Sequence, residues 1–456
     1  MLPLSRSDRE WSFLDVCSVK SGLVIATWAF MFGGTTANYL GFWDGLLAML
    51  IGNAIGVILL VFAAILPATK WGTEYFVHQR STLGARGAQV LALISVAPGA
   101  VLWAAILATT TGRAAVELAK IVPGGSAVPE ILVAAGVATG FLALAWTFVV
   151  RGNNGVRAIN RLAAPLLLLM CVWLIVAVLS RASLAEVTAA PALAPTPDRA
   201  TNIMLMIEFN IAGGLSWYNV AANLGRYART PRAAAWGALV AYVPINVLAC
   251  SVGLASALVL GSPDPVAWMA PSAGPILGAL LLGLLALANL STLAAMAQGN
   301  CQTLIQHLGR APQRLGWARF TAIYFAAVLC VSWTAPQVLY DQFFTIVAFL
   351  QALVGPAVAV ALADALILRR NRLDIAALHA RPGTGAYAYW GGINLCAFIA
   401  IAVGAITYLA MFNPATLATA PGFSWVSASL PAMLLAFATH IVLNRLIMKP
   451  AGKGAY

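Results

Sequence analysis

Two adjacent hydroxyl side chains, Ser291 and Thr292, lie inside a long apolar run, in the stretch ALANLSTLAAM at residues 286–296. If the stretch is helical, Ala288 and Ala295 share their face at the i, i+3, i+4, i+7 spacing. A hard cation such as Na⁺ takes oxygen ligands, and hydroxyls supply them without the cost of burying a carboxylate. Ser, Thr and Ala are also common where helices pack in membranes. The stretch therefore predicts either a cation site or a helix-packing seam.

The composition predicts a membrane protein made of helices. Of the 456 residues, 61% are hydrophobic and only 9% are charged, which is far outside the usage of soluble globular proteins. The apolar runs are continuous rather than alternating, which excludes a membrane β-barrel. The sequence lacks HExxH and GxSxG motifs, paired catalytic carboxylates and the repeated charge rings of channel pores. An all-α polytopic membrane protein is therefore expected, and neither an enzyme nor a channel is indicated.

Twelve apolar runs are each close to the roughly 20 residues that cross a bilayer. We number them as spans 1 to 12: 21–43, 45–66, 88–112, 130–150, 162–180, 202–223, 234–260, 274–300, 317–334, 343–368, 388–411 and 425–444. The net charge of +12 follows the positive-inside rule and does not indicate a nucleic-acid partner. With a cytoplasmic N-terminus, the only Lys and Arg residues outside are Arg113, Lys120, Arg181 and Arg199. Both termini are therefore expected in the cytoplasm, with the chain in a bacterial-type cytoplasmic (inner) membrane.

Paired glycines are expected to interrupt spans 1 and 6. Gly33 and Gly34 lie in span 1, and Gly213 and Gly214 lie at the centre of span 6. Unwound backbone is tolerated at membrane depth only where it faces protein or a cavity. Because these spans open two successive groups of five, the pattern predicts a transporter with inverted repeats and a midplane site. The expected units are a cytoplasmic lead (1–20), a first repeat (21–181), an outer linker (182–200), a second repeat (201–370), and spans 11 and 12 with a cytoplasmic C-terminus (371–456).

Six segments form a pattern through their order and spacing. They are GFWDGLLAMLIGN at 41–53, HQRSTLGARG at 78–87, AANLGRYAR at 221–229, ANLST at 288–292, ALADALILRRNRLD at 361–374 and YWGGIN at 389–394. Together they resemble the nucleobase:cation symporter-1 family, which includes permeases for cytosine, hydantoins, allantoin, uracil and purines. The resemblance implies a LeuT-like fold of two inverted five-helix repeats plus two peripheral helices. It also implies a sodium site made by the hydroxyls of Ser291 and Thr292 and the carbonyls of Gly22, Ile25 and Ala288.

The same resemblance places the substrate between spans 1, 3, 6 and 8. Family carriers of nucleobases hold a planar heterocycle between aromatic side chains and read its edge with Gln and Asn. At matching positions this sequence has Ala100, Gly214 and Leu293, so we expect a roomier, less polar cavity unless an aromatic side chain rotates into it. The side chains available for this are Trp28, Trp103, Trp217 and Tyr218. The expected substrate-binding residues are Ala26, Ala100, Trp103, Gly213, Gly214, Trp217 and Leu293.

Glu208 is an acidic side chain inside span 6. Such a carboxylate either carries a coupled proton or attracts a cationic group, or it is paired with backbone or Asn near the outer surface. The main expectation is a symporter that moves a nucleobase or related nitrogen heterocycle with Na⁺ by alternating access. The alternative is a proton-coupled symporter of a larger or cationic heterocycle that uses Glu208. The expected partners are the heterocycle, Na⁺ as coupling ion and the lipid bilayer, with no cofactor, and the protein is expected to be a monomer.

Overall fold

The computed structural model describes residues 3–121, 127–334 and 336–456. A helix lies at each of the twelve predicted spans. Among the described residues, nine helices are long and apolar enough to cross a membrane, and the two bent helices of span 1 together form a tenth. Span 11 is a shorter apolar helix, and span 6 is divided into two pieces. The all-helical class is confirmed, whereas the count of twelve membrane crossings stays a prediction.

The helices keep the numbers of the spans they occupy. In the first group they are Phe13–Val24 and Thr27–Tyr39 (span 1), Phe42–Leu60 and Leu66–Trp71 (span 2), Ala85–Ile121 (span 3), Glu130–Val150 (span 4) and Gly152–Leu179 (span 5). In the second they are Arg199–Leu215 and Tyr218–Gly225 (span 6), Pro231–Val240 and Asn246–Leu260 (span 7), Pro265–His307 (span 8), Arg310–Thr334 (span 9) and Phe343–Leu362 (span 10). Leu395–Met411 and Ser429–Leu443 form spans 11 and 12.

Short elements complete the chain. Wide π-helical turns occur at Val61–Ile65, Ala241–Ile245, Ala363–Leu368 and Asn444–Met448. Short α-helices occur at Tyr75–His78, Arg80–Leu83, Leu184–Ala189, Pro336–Asp341, Ile375–Leu378 and Phe423–Val426.

Span 1 is broken, as predicted, but the break lies at Ile25 and Ala26, which are both extended. Its two halves meet at an angle of 56°. The side chain of Asn289 on span 8 satisfies the start of the second half, because its Oδ1 accepts hydrogen bonds from the Thr27 backbone N–H at 3.1 Å and from its hydroxyl at 2.9 Å. The first N–H groups of a helix have no partner within the helix. A distant amide therefore stabilises the break.

The prediction that paired glycines make the interruptions is wrong in position. A Cβ on Gly33 would meet the carbonyl oxygen of Cys250 at 1.8 Å, so this glycine lets span 1 approach span 7. Gly214 lies within the helix Arg199–Leu215, where an added Cβ would be 3.3 Å from the backbone of Gly56 on span 2. Span 6 is interrupted two residues later, at Ser216 and Trp217, which separate its two helices. The glycines permit close helix packing, which needs small residues in membranes.

Spans of the first predicted group of five pack against spans of the second. The second half of span 1 packs on span 7, span 6 packs on span 2, and spans 3 and 8 pack on each other. Spans 11 and 12 pack on each other and against span 10. Reciprocal pairing of this kind is expected when two halves are related by a two-fold axis. The inverted relation of the halves stays a prediction, and the residues predicted to bind the cation and the substrate come from these paired spans.

Candidate cation and substrate sites

The hydroxyl pair of span 8 contacts the end of the first half of span 1. Ser291 Oγ donates to the carbonyl oxygens of Ala288 at 2.9 Å and Gly22 at 3.2 Å. Thr292 Oγ1 donates to the carbonyl oxygens of Gly22 at 2.8 Å and Leu23 at 3.2 Å. All five residues are buried. The structure therefore brings together four of the five predicted cation ligands.

Ile25, the fifth predicted ligand, lies at the break itself. Sequence reasoning missed Leu23, whose carbonyl joins the set because the last carbonyls of a helix lack partners within it. Such a helix end also carries partial negative charge. Hydroxyl and carbonyl oxygens gathered at this end are the ligands that hard cations prefer. The arrangement fits a monovalent cation such as Na⁺.

Three tryptophans fill the region beside the break. The ring centroids of Trp28 and Trp217 are 5.5 Å apart, those of Trp103 and Trp217 are 5.9 Å apart, and those of Trp28 and Trp103 are 6.3 Å apart. The cavity that Trp103 and Trp217 line has a volume of only about 20 Å³, roughly the space that one water molecule needs. Aromatic side chains thus fill the space beside Ala100, and the cavity is not the roomier one expected in the absence of such filling.

The cavity has a polar side made by spans 3, 6 and 8. Asn219 Nδ2 donates to Asn300 Oδ1 at 2.8 Å, and the hydroxyl of Tyr218 donates to Ser95 Oγ at 2.7 Å. All four side chains line the cavity. Amide and hydroxyl groups placed beside aromatic faces suit the hydrogen-bonding edge of a heterocycle. Asn219 lies just after the break of span 6, whereas no pattern in the sequence distinguishes Ser95 or Asn300.

The predicted substrate residues fall into two groups. Ala100, Trp103 and Trp217 line the cavity, whereas its lining does not include Ala26, Gly213, Gly214 or Leu293. Ala26 lies in the break of span 1, and Gly214 packs against span 2. The substrate-binding role of all seven stays a prediction.

Glu208 lies away from this cavity, at the start of span 12. Its carboxylate accepts hydrogen bonds from the backbone N–H groups of Ala428 at 3.2 Å and Ser429 at 2.9 Å, and from the Ser429 hydroxyl at 2.6 Å. A carboxylate is stabilised there because the beginning of a helix presents unpaired N–H groups and partial positive charge. The geometry supports the reading in which Glu208 is paired with backbone.

Asp15 ties the first half of span 1 to span 5. Its carboxylate accepts two hydrogen bonds of 2.9 Å from Arg157, through Nε and Nη2, and one of 2.6 Å from Nε of Arg161. The Asp15 side chain is only 2% exposed. Bidentate Arg–carboxylate pairs fix orientation as well as charge. This cluster therefore holds the N-terminal end of span 1 against span 5.

A second buried carboxylate, Glu74, joins the loop after span 2 to span 8. It accepts hydrogen bonds from Thr303 Oγ1 at 2.6 Å and from the Val77 N–H at 2.9 Å, and it lies 3.3 Å from Nε2 of His307. Burial acts to raise the pKa of Glu74, but its hydrogen bonds with His307, Thr303 and the Val77 N–H outweigh burial and lower the pKa to about 2. The carboxylate is therefore held in its ionised form.

Comparison with known proteins decides the family. A family model described as permease for cytosine/purines, uracil, thiamine and allantoin matches residues 3–443. The chain belongs to the nucleobase:cation symporter-1 family. It is similar to the hydantoin permease of Microbacterium maritypicum, at 24% identity over 94% of this chain and 89% of that one. It is also similar to the allantoin permease of Bacillus subtilis, at 26% identity over 98% of this chain and 92% of that one.

Solved structures of this family and of a more distant transporter share the fold. Mhp1, in a closed conformation with bromovinylhydantoin bound, superposes with a TM-score of 0.79 at 20% identity, over 97% of this chain and 95% of that one. A Na⁺-coupled sialic acid symporter, in a substrate-bound outward-open state, gives a TM-score of 0.61 at 13% identity, over 96% and 91%. The chain thus has the helical fold of these transporters.

Proposed function

We propose that this protein is a secondary active symporter that moves a planar nitrogen heterocycle together with Na⁺ by alternating access. The observation that carries the proposal is the contact of Ser291 and Thr292 with the carbonyls of Gly22 and Leu23, where span 1 breaks. Paired broken spans are typical of transporters whose ion and substrate sites lie near the midplane. Family membership supports the transport class.

The cation step follows from which spans supply the oxygens. When Na⁺ binds, it replaces the hydrogen bonds between the hydroxyls and the carbonyl oxygens. The carbonyl oxygens then contact the ion, and the hydroxyl groups turn so that their oxygens contact it too. Because the hydroxyls belong to span 8 and the carbonyls of Gly22 and Leu23 to span 1, the ion holds these spans together. Its departure removes this link and leaves only the hydroxyl–carbonyl hydrogen bonds between the two spans. Na⁺ therefore stabilises one of the two access states, as alternating access requires.

The substrate step uses the tryptophan cluster and the polar side of the cavity. A heterocycle stacks on aromatic faces, while its N–H and C=O groups pair with amides such as Asn219 and Asn300. Since the cavity is about 20 Å³, Trp28 or Trp217 turns aside when a ring enters. Relatives named as hydantoin and allantoin permeases favour a small cyclic compound with amide groups.

Uptake by purified protein in liposomes tests the proposal. Radiolabelled hydantoin, allantoin, uracil and cytosine are supplied under an inward Na⁺ gradient, a matched K⁺ gradient, or a pH gradient without Na⁺. We expect at least one compound to accumulate with Na⁺ alone. Accumulation that follows the pH gradient and ignores Na⁺ would contradict the proposal.

The proton-coupled alternative through Glu208 is not favoured, because this carboxylate is occupied by the first N–H groups of span 12. We further propose that the protein is a monomer in the cytoplasmic membrane with both termini in the cytoplasm, as the distribution of Lys and Arg indicates.

A further inference from the structure

Asn160, on span 5, is buried beside the hydroxyl pair, and its amide oxygen, Oδ1, has no hydrogen-bond partner among the described residues. It is 0% exposed. Its Nδ2 donates to the carbonyl oxygen of Val156 at 2.9 Å and lies 3.5 Å from that of Ser291. A buried amide oxygen without a partner is costly, so the structure offers a reason to look for a ligand there.

The unused oxygen is aimed at the end of the first half of span 1. A Cβ built on Gly22 would meet Asn160 Oδ1 at 1.9 Å and Ser291 Oγ at 3.4 Å. The amide oxygen and the hydroxyl therefore both lie on the side of Gly22 from which a side chain would project. Turning the amide over would place Oδ1 against the Val156 carbonyl oxygen and leave two acceptors facing each other. The orientation is thus set by the hydrogen bond to Val156.

We propose that Asn160 Oδ1 is a further ligand of the cation that Ser291 and Thr292 bind. The inference rests on the proposed function, to which it adds an oxygen from a third span. An amide oxygen supplies a hard-cation ligand without adding charge. The ion then gathers spans 1, 5 and 8 at one point, about one helical turn from where Arg157 of span 5 holds Asp15. Departure of the cation would accordingly loosen span 5 as well as span 1.

Two substitutions at this position separate a ligand from a packing residue. Asn160→Leu keeps the size of the side chain and removes the oxygen, whereas Asn160→Asp keeps an oxygen and adds a charge that only a cation compensates. If Asn160 is a ligand, we expect the Leu variant to need about tenfold more Na⁺ for half of the maximal rise in melting temperature. The Asp variant should need no more Na⁺ than wild type. If Asn160 only packs, the opposite result is expected. The Leu variant then needs no more Na⁺ than wild type, because an apolar group is tolerated there, and the Asp variant needs more, because an unpaired buried carboxylate is not tolerated.

The readout is the melting temperature of the purified full chain as Na⁺ replaces choline at constant ionic strength, without substrate. Asn53→Leu is the matched control, because Asn53 is a buried amide on span 2 that also donates to the carbonyl four residues earlier, at 3.0 Å. It is expected to lower the melting temperature and leave the Na⁺ midpoint unchanged. If Asn160→Leu gives no folded protein, the Asp variant decides alone, since a weakened Na⁺ response there overturns the inference.

The double variant Ser291→Ala, Thr292→Val distinguishes this inference from the proposed function. One outcome overturns only the Asn160 assignment. In that outcome Na⁺ stabilises wild type, the double variant loses this response, and Asn160→Leu keeps it. If Na⁺ has no effect on wild type beyond that of choline, the proposed function and this inference both fail.

Discussion

Trp28 Nε1 donates a hydrogen bond of 3.2 Å to the carbonyl oxygen of Leu23, across the break in span 1. The same carbonyl accepts from Thr292 Oγ1, also at 3.2 Å. The indole ring of Trp28 packs against Trp103 and Trp217. One carbonyl group therefore belongs both to the candidate cation site and to the support of the aromatic cluster, which gives ion and substrate a physical means of influencing each other.

Trp28→Phe is expected to weaken that coupling. Phe keeps an aromatic ring but lacks the N–H that donates to the Leu23 carbonyl oxygen. A shift of Leu23 therefore no longer moves the ring through this hydrogen bond. The ratio of substrate affinity at saturating Na⁺ to that at zero Na⁺ should be about three- to tenfold smaller in this variant than in wild type. This size is consistent with the loss of one buried hydrogen bond. Substrate titrations at zero and saturating Na⁺ measure this ratio. An unchanged ratio would show that the coupling does not pass through Leu23.

Gly22→Ala is expected to disturb the candidate cation site directly. The added methyl group would lie 1.9 Å from Asn160 Oδ1, so Asn160 or span 1 must shift. Overpacking of this kind costs about 1–3 kcal/mol, and the Na⁺ midpoint should rise as well. Gly140→Ala is the control, because an added Cβ on this span 4 residue has nothing within 4 Å. Thermal unfolding with and without Na⁺ compares the two, and equal Na⁺ responses would exclude a crowded site at Gly22.

Asp15→Asn is expected to free the N-terminal end of span 1. Arg157 and Arg161 would lose the carboxylate that pairs with both. The Arg157 side chain is only 20% exposed, so its charge would be left poorly solvated and without its partner, which is destabilising. Hydrogen exchange over Phe13–Val24 should become at least about tenfold faster. Asp44→Asn is the control, since Asp44 forms an equivalent pair of 2.9 Å bonds with an Arg199 side chain that is 76% exposed. If both variants exchange like wild type, Asp15 does not fasten this end.

Glu208→Gln is expected to lower stability and preserve Na⁺-driven uptake. The substitution removes the negative charge at the start of span 12, a change worth about 1–2 kcal/mol. Uptake per folded molecule should keep its Na⁺ dependence, because Glu208 lies away from the hydroxyl pair. A variant that folds normally and loses all uptake would instead favour proton coupling through this residue.

The sequence predicted the elements of this protein better than the places where they break. Runs of about twenty apolar residues determine helices in a bilayer almost by themselves, and each predicted span contains a helix. The hydroxyl pair was also visible, because Ser291 and Thr292 share one helix face. These features depend on residues that are close together in the sequence.

Other features depend on contacts between distant residues. The break at Ile25 and Ala26 is stabilised by Asn289, more than 260 positions away, and no local pattern marks it. The partners of Glu208 come from the start of span 12, so its role could not be read from span 6. The glycines were misread for the same reason, because Gly33 and Gly214 serve contacts with spans 7 and 2.

The central claim is that the hydroxyls of Ser291 and Thr292 bind the coupling Na⁺. The most direct test is the Na⁺ dependence of uptake in liposomes for Ser291→Ala, Thr292→Val. Thr36→Val is the matched control, because Thr36 is a buried hydroxyl on span 1 that donates to a backbone carbonyl at the same 2.8 Å. We predict that the double variant loses Na⁺-stimulated uptake while Thr36→Val retains it. A folded double variant whose uptake depends on Na⁺ as wild type does would contradict the claim.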